Sequence, residues 1–232
     1  MTVLGRFGEI ISTAATGAFS AVIERLRTVF EGDSETRRQV AFSIAMIGLS
    51  AKMAKADGVV TPDEVEAFRD IFAIPDKEAG NVARLYNLAK QDVAGFDSYA
   101  KQVSGLFPGE QQILEDVMDG LFHIAKADGL MHEKEQEFLD QVAAIFAIEG
   151  RDYARIKARH LHPEDGDPYL ILDMEPGMDD EALKAAYRQL VKDNHPDMLI
   201  ARGVPPEFVA IANDRLAAIN HAWEQVRLER GL

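Results

Sequence analysis

Apolar positions recur at helical spacing along nearly the whole chain, and no stretch shows the strict alternation of a half-buried strand. The first helix is expected over Leu4–Phe30. Phe7, Ile10, Ile11, Ala14, Ala18, Val22, Leu26 and Val29 fall near one stripe of it, which marks it as amphipathic. After a turn at Gly32-Asp33, the run Glu35–Ala56 is apolar on almost every side, with Val40, Phe42, Ile44, Met46, Ile47 and Leu49. Such a helix belongs at the centre of a bundle. Further helices are predicted at Pro62–Phe72, Lys77–Gln91, Asp97–Val103, Gly109–Ala127, Glu133–Phe146 and Arg151–Arg159, separated by Pro75, Gly95, Pro108 and Gly129. The fold class is all-α.

The middle of the chain contains an internal repeat. Ala54-Lys55-Ala56-Asp57-Gly58 returns as Ala125-Lys126-Ala127-Asp128-Gly129, Phe72-Ala73-Ile74 as Phe146-Ala147-Ile148, and Ala83-Arg84-Leu85 as Ala154-Arg155-Ile156. Two helical hairpins related by approximate symmetry would form one helical bundle over residues 35–159, preceded by the N-terminal helix in 1–34. The polar, breaker-rich stretch 160–167 reads as a linker. Its His160 and His162 are expected to be solvated rather than to hold a metal. Residues 168–232 form a second, smaller unit.

Length and composition agree with two small domains, each with its own core: 232 residues, 47% of them hydrophobic, with no low-complexity tract. The absence of cysteine excludes disulfides, thiolate zinc sites and cysteine nucleophiles. A formal charge of −14 argues against nucleic acid as a partner, because that requires clustered cations to displace counterions. The uncharged run Ile10–Ile23 is bracketed by Glu9 and Glu24-Arg25 and is interrupted by Ser12, Thr13, Thr16 and Ser20. A span needs about 20 apolar residues, so a cytoplasmic protein is expected, at most peripheral at the inner membrane. Ala14/Ala18 and Gly17/Ala21 would let the helix approach a second copy closely, giving self-association as the other use of its stripe.

Both repeats carry an acidic turn. In the first, Thr61 can cap the next helix, Pro62 fits its opening position and Glu64 closes a capping box. Asp-Gly followed by Glu also matches the second half of a calcium loop, where glycine permits the bend and the last carboxylate grips the ion. The first half lacks ligands: Met53 and Lys55, or Ile124 and Lys126, stand in their place. Capping is therefore the default reading and a calcium-like divalent cation the sharper one. The doubled Ala-Asp-Gly turn in an all-helical domain of this size resembles the tellurite-resistance TerB-like domain. That resemblance implies divalent-cation binding at Asp57, Glu64, Asp128 and Glu135, with no other cofactor required. In the second turn His132 and Lys134 replace Thr61 and Asp63.

The C-terminal unit has the clearest signature. Asp179 or Asp180 starts a helix with acidic residues at its positive end. Leu183, Ala186, Tyr187, Leu190 and Val191 form its inner stripe, while Lys184, Arg188 and Lys192 recur every four residues as a basic ridge on a different face. A His195-Pro196-Asp197 loop follows. Pro205-Pro206 then opens a helix whose apolar set is Phe208, Ile211, Ala212, Leu216, Ile219, Trp223 and Val226. The two helices should pack antiparallel with the loop at their shared tip.

Together with Asp167-Pro168-Tyr169, Pro176-Gly177 and Leu216-x-x-Ile219-Asn220-x-Ala222-Trp223, these residues resemble a J-domain, the module by which DnaJ-type co-chaperones engage DnaK-type heat-shock chaperones. The resemblance implies that His195, Pro196, Asp197, Lys184, Tyr187, Arg188 and Lys192 meet the chaperone and that docking raises its ATP hydrolysis. It departs from the pattern at Met198, where a basic residue is common, and at Gln189 and Asp193, which dilute the ridge. A TerB-like domain followed by a J-domain looks like the DjlA group of bacterial co-chaperones. On this reading the protein is no enzyme. It acts on a DnaK-type partner, and the TerB-like domain supplies location, client or signal specificity. The alternative is a cation-sensing stress-response binding protein of the tellurite-resistance kind. An enzyme with His195 and Asp197 as an acid–base pair is disfavoured, because no nucleophile, oxyanion device or cofactor motif accompanies them.

Overall fold

The computed structural model describes residues 19–29, 34–56, 68–69, 74, 76–92, 95–126, 131–162, 164 and 166–232. These form eleven α-helices and two 3-10 turns, and no strand occurs among the described residues. In chain order the helices are α1 (Phe19–Val29), α2 (Ser34–Ala56), α3 (Ala79–Gln91), α4 (Phe96–Ser104), α5 (Gln111–Ala125), α6 (Glu133–Ile145), α7 (Gly150–Leu161), α8 (Pro168–Leu172), α9 (Asp180–Asp193), α10 (Pro196–Arg202) and α11 (Ala210–Arg230). The helix expected at Pro62–Phe72 and the first part of the N-terminal helix lie mostly outside the described residues.

The all-round apolar run becomes the axis of the bundle. α2 packs against α1, α3, α4, α5 and α6, and Val40, Phe42, Ile44, Met46, Ile47 and Leu49 are fully buried. Its few polar side chains are accommodated locally. Ser50 Oγ donates to the Met46 carbonyl at 2.6 Å, and Lys52 Nζ reaches the Asp92 carbonyl at 3.0 Å while lying over the Tyr99 ring. Of the N-terminal stripe, Val22 and Leu26 are buried against the bundle, and so is Ile23, which was not counted in it.

The repeat is visible in the backbone. The Ile74 amide bonds to the Arg69 carbonyl and the Ile148 amide to the Ala143 carbonyl, five residues back in both cases. In the second copy this bond closes the end of α6, and the isoleucine that ends the repeated tripeptide is buried in both. Leu85 and Ile156, which end the other repeated triplet, are both fully buried.

Two expectations are corrected here. α7 does not stop at Arg159 but runs through His160 to Leu161, and His160 is buried rather than solvated, because carboxylates from α5 and α11 face it. The two units also do not keep separate cores. Ile219, Ala222, Trp223 and Val226 do pack with Leu183, Tyr169, Ile171 and Leu172 in a small cluster of their own. Leu199, Val204, Phe208, Ile211 and Ala212 join the main core instead. Phe208 meets Phe42 edge-on at 5.3 Å between centroids and Phe68 at 6.3 Å. Polar residues at 160–167 suggested a flexible break, but the apolar half-turn after the His-Pro-Asp loop reaches back into the bundle.

Gly203 lies at this junction with φ +108, and an added Cβ would stand 2.7 Å from Arg38 Cβ. Gly203→Ala should therefore cost about 1–3 kcal/mol through backbone strain alone, measurable as a drop in the urea midpoint.

Candidate docking surface and the ion cluster beneath it

Asp179 caps α9, its carboxylate accepting from the Ala182 amide at 2.9 Å, and Asp180 and Glu181 fill the first turn. The helix pairs with α11 in the antiparallel sense. Tyr187 stacks on Trp223 at 4.5 Å and its hydroxyl meets Asn220 Oδ1 at 3.0 Å, whereas Asn194, just past the end of α9, meets the earlier Arg215 of α11. Tyr187 thus serves mainly to clasp the two helices, with part of its surface still open. On the outer face Arg188 and Lys192 are exposed, and Lys184 leans on Glu181 at 3.0 Å. Gln189 and Asp193, the residues that dilute the ridge, hydrogen-bond to each other at 2.7 Å.

The loop is the start of α10. His195 is its N-cap, with Nδ1 accepting from the Asp197 amide at 3.2 Å, and Pro196 occupies the first helical position, where a missing N–H costs nothing. The Asp197 side chain is 85% exposed and that of His195 55%, with His195 Nδ1 and Asp197 Oδ2 3.5 Å apart. His195, Asp197, Arg188 and Lys192 are thus all exposed, and Pro196 is partly so. The Asp197 carboxylate offers acceptor oxygens alone, suited to a guanidinium fork or to backbone amides.

Beneath the loop lies a cluster that the sequence reading missed. Asp116 and Asp119, one turn apart on the otherwise apolar α5, are fully buried. Asp116 is gripped through both oxygens by Arg202 of α10, each contact at 3.1 Å, and by Arg215 of α11 at 2.7 Å. Asp119 accepts from Arg215 at 2.5 Å and from Arg159 of α7 at 3.1 Å, and lies 2.7 Å from His160 Nε2. Asp214 extends the network to Lys126 at 2.8 Å and His123 at 3.3 Å. Burial by itself would raise the Asp119 carboxyl. The Arg159 and Arg215 guanidiniums and the His160 hydrogen bond outweigh it and hold the group well below the usual carboxylate range. Burial pushes Arg159 down to about 10, with the Asp119 charge acting against it.

The only sequence signal for this cluster was a pair of carboxylates at i, i+3 inside an apolar helix. Their partners lie 40 to 99 residues away and could not be paired by spacing.

Of the four candidate cation ligands, Asp57, Glu64 and Asp128 lie outside the described residues. Glu135 is described: its carboxylate accepts from the His132 amide at 2.9 Å, which is the helix-capping role. Among the described residues no group of three acidic or histidine side chains has the closeness of a metal site, and none of the described helices is long and apolar enough to cross a membrane.

Comparison with known proteins gives the following. The family model described as tellurite resistance protein TerB matches residues 43–158. Proteins named co-chaperone protein DjlA are similar over most of the chain. The one from Vibrio parahaemolyticus is 24% identical, with 87% of this chain and 82% of that protein covered. The one from Coxiella burnetii is 24% identical, with 78% and 74% covered. The one from Shewanella oneidensis is 23% identical, with 87% and 82% covered. No solved structure matches. With half its length in the TerB match, the DjlA relatives spanning both units, and a His-Pro-Asp hairpin built onto the bundle, this chain belongs to the TerB family and is DjlA-like in its arrangement.

Proposed function

We propose that the protein is a co-chaperone. Its C-terminal hairpin docks on a DnaK-type heat-shock chaperone and stimulates ATP hydrolysis, and it carries out no bond-making of its own. The observation that carries this reading is the exposure of the loop and of the helix before it: the Asp197 carboxylate stands in solvent, and Arg188 and Lys192 of α9 are exposed as well. The curated relatives, named as co-chaperones over the same length, support it. The Arg188–Lys192 ridge steers an acidic surface towards the loop, and the aspartate then makes a charge-assisted contact with a cation or amides of that surface.

The test is single-turnover ATP hydrolysis by a DnaK-type chaperone titrated with the wild type and with Asp197→Asn. Removing a charge-assisted hydrogen bond of about 1.5–3 kcal/mol should raise the half-maximal concentration roughly tenfold to a hundredfold. Equal stimulation by both proteins would reject the proposal. Stimulation by the wild type should also weaken as salt rises, because an exposed ridge is screened within about 10 Å at 0.1 M ionic strength.

A further inference from the structure

We propose that the TerB-family bundle sets the shape of the His-Pro-Asp loop, with Asp116 as the positioning residue. This inference rests on the docking role proposed for that loop. The loop spans from the end of α9 to α10; its α10 side is closed by its own His195 Nδ1, which accepts from the Asp197 amide, whereas its α9 side is held by two arginines from farther along the chain. Arg202 NH1 donates to the Asp193 carbonyl at 3.1 Å, and Arg215 NH1 donates to Asn194 Oδ1 at 3.0 Å. Asn194 in turn returns its amide to the Leu190 carbonyl at 2.8 Å, so the Arg215 contact fixes the side chain that closes α9. Both guanidiniums are anchored on Asp116: Arg202 through its two remaining nitrogens, and Arg215 through Nη2, which Asp116 shares with Asp119.

Asp116 belongs to α5, in the middle of the bundle, 86 residues before Arg202. The loop is therefore open above, where His195, Asp197 and Met198 face solvent, and fastened below by a carboxylate from the other unit. Neutralising Asp116 leaves the buried Arg215 and the partly buried Arg202 without the carboxylate they share, with Asp119 already divided among Arg159, His160 and Arg215. The clamp then loosens at Asp193 and Asn194, and the loop samples other shapes. Asp116 touches no docking surface and acts only through Arg202 and Arg215.

The experiment uses the full chain and two readouts, stimulation of a DnaK-type chaperone's ATP hydrolysis and amide hydrogen exchange, on the wild type, Asp116→Asn and Arg202→Lys. Arg202 lies at the rim of the cluster, so its lysine variant keeps the charge but cannot span Asp116 and the Asp193 carbonyl together. It carries the test if Asp116→Asn does not fold. Each variant should raise the half-maximal concentration about tenfold, within the range of ordinary coupling between sites, while the maximum at saturation is retained. Exchange should quicken at the amides of residues 193–199 and stay unchanged in α3. A lower melting temperature with unaltered half-maximal concentration and unaltered exchange at 193–199 would overturn the inference while leaving the docking role intact. No stimulation by the wild type would overturn the docking role itself.

Discussion

Asp119→Ala is expected to remove about 3–5 kcal/mol of folding stability, the usual cost of leaving buried charges without their counter-ion. Arg159, Arg215 and His160 would remain in place around the missing carboxylate. For a domain whose whole stability is about 5–15 kcal/mol, that is close to complete unfolding at elevated temperature. The acid side of the stability curve gives an independent check. The folded Asp119 carboxyl lies below its unfolded value, which is about 3.9. Its contribution is fully present above that value and is lost as the pH falls through the folded one. Asp214 shifts in the same direction: burial would raise it, but hydrogen bonds from His123, His160 and Lys126 win. Urea midpoints measured from pH 7 down to strongly acidic buffer should fall steeply in the wild type below about pH 4 and less steeply in Asp119→Ala. Parallel curves for the two proteins would mean that Asp119 is not a main source of the acid sensitivity.

Phe208→Ala is the second large effect, with an expected loss of about 3–5 kcal/mol from transfer and cavity terms together. The ring is fully buried and contacts Phe42 and Phe68 of the bundle although it follows the docking loop in sequence. The decisive measurement is where protection disappears. Hydrogen exchange should quicken in α2 and in α11 by the same factor, because the two share one cooperative core. Faster exchange confined to α11 would mean that the hairpin and bundle unfold separately. The same substitution should leave the Tyr187–Trp223 stack in place under native conditions, since that pair belongs to the smaller cluster.

Much of this architecture was legible beforehand, for identifiable reasons. A run apolar on all sides has only one place to go, and α2 took it. Caps are local, so the Asp179 start of α9 could be read from a few residues. The repeat and the hairpin were likewise carried by short-range patterns, and the exposure of His195, Asp197, Arg188 and Lys192 follows from a polar face that spacing alone marks out. What escaped was long-range. Asp116 and Asp119 look like ordinary helix carboxylates until α7, α10 and α11 arrive from far along the chain. His160 looked like part of a soft connector because prolines, acids and a glycine follow it, yet α7 continues two residues past Arg159 and places it against Asp119. Separate cores were inferred from composition on either side of 160–167, and composition does not say which way Leu199, Val204 and Phe208 point.

The shared packing at Phe208 also limits how this hairpin can be exchanged among proteins. A hairpin spliced in at residue 168 would bring its own ridge and loop, but unless it also carried an aromatic plug and two arginines at these places it would not fill what this bundle is shaped to receive. The recipient would be left with a hole beside Phe42 and a naked acid on α5. Chimeras should therefore be joined with residues 199–215 kept from this chain and only the outward-facing positions replaced.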